Sequence, residues 1–120
     1  MALTLYGIPN CATVRRARDW LQQHSHPVSF HDFKTDGVPA ARMRAWLATI
    51  GWERLVNRSG TTWRNLDAAT REAVVDASSA ANLMLAHPSV IRRPIVEWAD
   101  AAITVGFDPE IWREYARLCK

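Results

Sequence analysis

Between residues 3 and 33 the hydrophobic pattern changes period twice, and no other stretch restricts the fold as much. Leu3–Tyr6 (LTLY) is a short run, mostly apolar, closed by Gly7 and Pro9, which reads as a buried strand and its breakers. Val14, Ala17 and Leu21 then recur at i, i+3 and i+7, one face of an amphipathic helix that ends near His24–Pro27. Asn10 is the expected N-cap, which makes Cys11 the first helical residue. VSFHDF at 28–33 reads as a second strand, with KTDG turning the chain after it. Strand, helix, strand in this order predicts two parallel strands joined by a right-handed crossover.

The rest of the chain adds helices and then a hairpin. From Val38 to Ile50, the residues Met43, Trp46, Leu47 and Ile50 share one helical stripe, and Gly51 stands where a helix-ending glycine belongs. NRSGTTWRN, 57–65, is polar and turn-rich and reads as a candidate functional loop. Two short helices are expected next, one after Asp67 through Val75 and one after Ser79 through His87, the second stopped by Pro88. PIVEW and AAITVG read as an antiparallel pair of strands, and DPEIWREYARL as a helix with Asp108 as cap and Pro109 in its first turn. A length of 120 residues suits one domain. The expected fold is therefore an α/β sandwich on a mixed sheet, the layout of a thioredoxin-like protein.

Charge and targeting narrow the function classes. The net charge of +3 comes from basic residues spread along the chain with no basic tail, which argues against a nucleic-acid binder. Arginine supplies 13 of the 15 basic residues; its planar fork suits oxyanions, and the same excess also arises from genome composition. No apolar run approaches the roughly 18 residues of a membrane span, and MALTLYG lacks the basic start and long apolar region of a signal peptide. A cytoplasmic protein with no membrane partner is expected. The cysteines, Cys11 and Cys119, are too few for a disulfide framework and form no CxxC. His24, His26, His31 and His87 lack zinc-ligand spacing, so no metal is expected. The six tryptophans, Trp46 among them, read as packing residues.

Cys11 carries the most chemistry. Free cysteines are commonly buried as small apolar residues, but a cysteine where a strand passes into a helix lies at the edge on which sites of open α/β sheets form. An ordinary thiol is only about 3% thiolate at pH 7. A helix N-terminus and Arg15 one turn on both favour the thiolate, with Arg18 a smaller contributor. Cys119, in the last turn of a terminal helix, has no such help. Arg58 in the central loop and Arg92 or Arg93 before Pro94 are candidate anion-binding residues, and scattered surface arginines are the plainer account of each. The Arg93–Pro94 bond is of the kind that can be cis, and Pro94 suits the first position of a strand.

Three segments, LYGIPNCATVRRARDWL, LVNRSGTTWRNL and VIRRPIVEW, together resemble the arsenate-reductase-related family that contains ArsC, the regulator Spx and the YffB proteins, with YffB the nearest. The resemblance runs the length of the chain. It implies a thioredoxin-like core, about 1–36 and 88–120, with a mixed four-stranded sheet flanked by helices and a helical insertion, about 37–87, between the second and third strands. It further implies Cys11 as the catalytic cysteine, Arg58 and Arg93 as anion-contacting arginines, and Pro94 as a cis-proline facing the site.

The chain departs from two branches of that family. Spx-type members carry a CxxC switch, and Val14 stands at the second cysteine's place here. Arsenate reductases have a third arginine after the RPIV segment and a histidine before the cysteine; neither has a counterpart in this chain. The remaining branch implies a glutathione-dependent thiol reductase with glutathione as reductant and glutaredoxin as a candidate partner. Cys11 would be the nucleophile, with Asn10, Arg15, Arg58, Arg93 and Pro94 around glutathione or an oxyanion substrate. Arsenate reduction, and Spx-like binding of RNA polymerase without catalysis, are the alternatives.

Overall fold

A computed structural model describes residues 3–118. The described chain divides into two units, one formed up to Gly37 and from Arg93 onward, the other by Val38–Arg92. In the first unit β1 (Leu3–Gly7) leads through α1 (Ala12–Gln23) to β2 (Val28–Asp32), and β3 (Ile95–Glu97) and β4 (Ile103–Val105) precede α8 (Pro109–Leu118). The sheet order is β2-β1-β3-β4, with β1 parallel to β2 and antiparallel to β3, and β3 antiparallel to β4. This is the mixed four-stranded sheet of a thioredoxin-like fold, as the order of elements predicted.

Side-chain alternation along the strands explains what each sheet face carries. Leu3 and Leu5 of β1 and Val96 of β3 form one cluster with Val14, Ala17 and Leu21 of α1 and with Trp112 and Ala116 of α8. The α1 stripe is thus the one read from the sequence, and all three of its residues are fully buried. Trp98 closes the cluster edge-on to Trp112, with ring centroids 5.2 Å apart, and its indole N–H donates to Thr104 Oγ1 at 3.0 Å. Tyr6, out of phase with Leu3 and Leu5, donates instead to Glu97 Oε1 at 2.7 Å and stacks near Phe33.

The second unit is helical. It holds α3 (Ala40–Ile50), α4 (Trp52–Leu55), α5 (Thr61–Asn65), α6 (Ala68–Glu72) and α7 (Ala77–Ala86), then a 3-10 turn at Pro88–Val90. Its buried residues include Met43, Trp46, Leu55, Val56, Leu83, Met84, Val90 and Ile91. Gly51 ends α3 with φ 93°, a conformation that favours glycine, as its position predicted.

Several local expectations shift. KTDG is not a plain turn: Phe33–Asp36 forms a short helix, α2, because Asp32 Oδ1 accepts from the Lys34 N–H at 2.8 Å and caps it. The stretch 57–65 is not loop throughout, since α5 occupies Thr61–Asn65. The helix expected after Ser79 starts three residues earlier. Asp76 is its N-cap, and Ser79 is the N3 partner of a capping box, its own N–H donating to Asp76 Oδ1 at 2.9 Å. Asp67 caps α6 as expected, accepting from Thr70, and Asp108 Oδ1 accepts from the Glu110 N–H at the start of α8. Leu47 and Ile50 are half-buried, so the inner face of α3 rests on Met43 and Trp46. No described helix is long and apolar enough to cross a membrane.

Candidate active site

Cys11 is the N-cap of α1 and not its first helical residue, the place Asn10 was expected to leave it. Its backbone is extended (φ −140°, ψ 123°), and its carbonyl accepts from the Arg15 N–H at 2.9 Å. The Asn10 side chain is therefore one residue too early to cap. Helix-start preferences rank residue types, and the backbone path out of β1 decides the position here.

Gly7 sets that path. A Cβ on Gly7 would stand 2.9 Å from Val14 Cγ2, closer than such atoms approach, so only glycine lets the first turn of α1 lie this near the end of β1. The sequence showed Gly7 as a strand breaker; its packing role needs Val14 in place to be seen.

The Cys11 thiol is half-exposed. Burial, the largest single influence, pushes its pKa up. The Val14 backbone N–H, a hydrogen bond and positive charge from Arg93, and the Thr13 N–H together outweigh it, so the thiol lies below the ordinary thiol range. The neutral side chain makes no capping hydrogen bond; the helix-start N–H groups act on the sulfur as it gains charge.

The charged group at the sulfur is thus Arg93, not Arg15. Arg15 is exposed on the next turn and is not among the groups that shift the thiol. Arg18 is engaged elsewhere, its guanidinium 4.1 Å from the centroid of the Phe30 ring on β2. Sharing a helix face with Cys11 is not enough, because a long side chain in solvent goes where packing and hydration take it. Asn10 is also exposed. The Arg93–Pro94 peptide bond is cis, as the resemblance implied, and Pro94 is buried with its carbonyl accepting from the Gly106 N–H at 2.9 Å.

Arg58 belongs to the helical unit and is exposed, its guanidinium 5.7 Å from the Trp52 ring centroid. Asn57 builds the loop that presents it. The Asn57 N–H donates to Val90 O at 2.7 Å, and its Oδ1 accepts from the Ser59 N–H at 3.2 Å, an Asx-type turn. A Cβ on Gly60 would lie 2.9 Å from Asn57 Nδ2, so a larger residue there would displace the side chain whose Oδ1 holds the turn. Arg64 ties the loop to α5 by donating to Ser59 O.

Among the described residues Cys11 is the free cysteine, and no group of His, Cys, Asp and Glu side chains is placed to hold a metal ion. Cys119 lies outside the described residues.

A β2-β1-β3-β4 sheet with a cysteine of lowered pKa at the N-cap position of the first helix and a cis-proline ahead of the third strand defines a thioredoxin-like protein, with one thiol at the site among the described residues. The chain belongs to the ArsC family, whose model matches residues 6–115. A solved YffB protein superposes with a TM-score of 0.89 at 41% identity, covering 95% of this chain and 98% of that one. An uncharacterized protein of Haemophilus influenzae is 36% identical over 106 residues, 88% of this chain and 91% of its own. The global transcriptional regulator Spx of Enterococcus faecalis is 26% identical over 115 residues, 94% of this chain and 85% of its own. The chain therefore falls in the class that joins ArsC-like thiol reductases with Spx-type regulators.

Proposed function

We propose that the protein is a glutathione-dependent thiol reductase in which Cys11 is the nucleophile. The observation that carries this reading is the lowered pKa of a half-exposed thiol held by helix-start N–H groups and by Arg93. Val14, fully buried at the i+3 position, leaves the first turn of α1 without a resolving thiol, and this reading takes the second sulfur from solution. Glutathione suits that part, and Arg93, with Arg15 and Asn10, would receive its carboxylates or an oxyanion substrate, while the likeness of the NRSG segment to the family makes Arg58 a further anion-contacting candidate.

For a disulfide substrate RSSR the steps balance as follows. The Cys11 thiolate attacks one sulfur, forming a mixed disulfide with one RS group and releasing the other as RS⁻. A glutathione thiolate attacks the Cys11 sulfur and expels the second RS⁻. A second glutathione attacks the glutathione sulfur now bonded to Cys11, which restores the Cys11 thiolate and forms glutathione disulfide. Two electrons pass from two glutathiones to the substrate. Glutaredoxin is an alternative acceptor of the Cys11-bound glutathione.

The test is mass spectrometry of the protein after exposure to glutathione disulfide, with Cys11→Ser as control, together with the pH dependence of alkylation at Cys11. A single glutathione on Cys11, removed by excess glutathione, is expected. An ordinary thiol pKa and no adduct would sink the reading. A second reading, engagement of RNA polymerase without catalysis, is favoured by the likeness to Spx; recovery of RNA polymerase subunits by the tagged protein, equally in Cys11→Ser, would support it over the enzyme.

A further inference from the structure

The end of α1 farthest from Cys11 meets α8 in a cavity of about 240 Å³ lined by Trp20, His24, His26, Arg113, Ala116 and Arg117. Four of these six residues are basic and none is acidic. Arg113 and Arg117 are at i and i+4 of α8, so they emerge from the same face one turn apart. Two guanidinium forks on one wall match the oxygens of a phosphate, and a bidentate fork is worth more there than a point charge.

The opposite wall is an aromatic platform. The His24 ring stacks on Trp20 with centroids 3.9 Å apart and planes 20° apart. Its Nδ1 lies 2.8 Å from Trp20 O. A carbonyl only accepts, so Nδ1 carries the proton there, and Nε2 is left as an acceptor that meets a phosphate-class ligand through its P–OH group. Trp20 is itself held edge-on against buried Trp112, centroids 5.7 Å apart, which fixes the platform.

Two features oppose an anion at this place, and both are weak. A helix C-terminus is the negative end of its dipole. Here three of its last four carbonyls are occupied: Trp20 O accepts from the His24 N–H at 3.1 Å, Leu21 O from the His26 N–H at 3.0 Å and Gln22 O from the Ser25 N–H at 3.1 Å. Glu114 pairs with Arg117 at 2.8 Å, but the two side chains are 70% and 71% exposed, so the pair is screened and readily exchanged for a better anion.

The geometry points to a second, distal anion site on this protein, one that takes a small phosphate-class ligand between α1 and α8. Twelve helical residues at about 1.5 Å each put it roughly 18 Å from the Cys11 end of α1. The volume equals that of about eight waters, room for a phosphate or small phosphomonoester and too little for a dinucleotide. The site is independent of glutathione chemistry at Cys11.

The test is an NMR titration of the full chain with inorganic phosphate, pyrophosphate and succinate at constant ionic strength set by chloride, reading the ring signals of His24 and His26. Saturable shifts of both rings are expected with phosphate, tighter with pyrophosphate and weakest with succinate. In Arg113→Gln/Arg117→Gln the affinity should fall by about tenfold or more, whereas Cys11→Ser should leave it unchanged. Both arginines are exposed, so the variant keeps the fold. Shifts that follow chloride equally, that survive the double substitution, that vanish in Cys11→Ser, or that are as strong with succinate would each overturn the proposal.

Discussion

The Arg93 side chain hydrogen-bonds Cys11, and its charge favours the thiolate, although β1 and β3, which bring the two residues together, lie at opposite ends of the sequence. The site is therefore a product of the sheet: β1 ends just before Cys11, and β3 begins just after the Arg93–Pro94 bond.

Removing the guanidinium should raise the Cys11 pKa. In Arg93→Ala the Val14 and Thr13 N–H groups stay, while burial still pushes the thiol up, so the balance tips toward the neutral form. Alkylation by iodoacetamide at neutral pH should slow several-fold, and its pH profile should move to higher pH. Arg93→Lys should recover part of the effect, through charge without the fork. An unchanged profile in Arg93→Ala would show that the helix start alone sets the thiol.

The same shift makes folding stability depend on pH. The native pKa is below that of the unfolded thiol, so between the two the unfolded chain binds more protons and stability rises with pH. The gain is complete above the unfolded thiol's pKa and is lost as pH falls through the native pKa. Urea midpoints of the wild type and Cys11→Ser, compared at neutral and at alkaline pH, should diverge in the wild type's favour on the alkaline side. Parallel midpoints would contradict the lowered pKa.

Gly7→Ala should destabilise the protein by about 1–3 kcal/mol, the usual penalty for overpacking, because the new methyl meets Val14 Cγ2 at 2.9 Å. Val14 is β-branched and fully buried, so it has little room to turn away. The Val14 Cβ, in contrast, would be 3.8 Å from the new methyl, an ordinary contact. A double-mutant cycle should thus show Gly7→Ala costing less in a Val14→Ala background. Additive costs would remove the contact from the account.

Strands, the α1 stripe and the final helix were legible because each writes its period into a short window: Val14, Ala17 and Leu21 needed no partner to be read. Cys11 as a candidate thiol was legible for the same reason. Arg93 was legible only as an anion-contacting arginine implied by the family resemblance; as the charge beside the thiol it was not, since sequence distance favours Arg15 and sheet pairing delivers Arg93. The Asp76 cap was missed because Ser79 is itself a good capping residue, and only the reciprocal bonds of the box show which of the two leads. Short helices such as Trp52–Leu55 and Thr61–Asn65 have too few residues to show a period at all.

The β3–β4 turn offers a stabilising change. Ala101 has φ 73°, while its N–H donates to Trp98 O at 2.9 Å and Trp98 donates to Ala102 O at 2.8 Å, so the turn holds a non-glycine residue in the left-handed region. Ala101→Gly relieves about 1–2 kcal/mol of local strain and adds up to about 1 kcal/mol of chain entropy to lose on folding. A net gain of about 0.5–1 kcal/mol is expected in denaturant midpoints, with alkylation of Cys11 unaffected. A loss of stability would mean that the Ala101 methyl makes contacts worth more than the strain.

Val14→Cys asks whether this site lacks an internal resolving thiol for want of one residue. Position 14 is one helical turn beyond Cys11, so the side chains start about 5–6 Å apart, near the span a disulfide bridges. The substitution removes roughly one methyl group from a buried position and should cost about 0.5–1.5 kcal/mol. Mild oxidation should then consume two thiols per chain and block alkylation at Cys11, and the glutathione adduct expected of the wild type should give way to an internal disulfide. The Val14→Cys, Cys11→Ser pair controls for bonds to Cys119. If the oxidised variant still accumulates glutathione on Cys11 with both site thiols otherwise free, burial at position 14 keeps the new thiol from reaching its neighbour, and the single-thiol chemistry is set by the packing of α1 against β1 and not by composition alone.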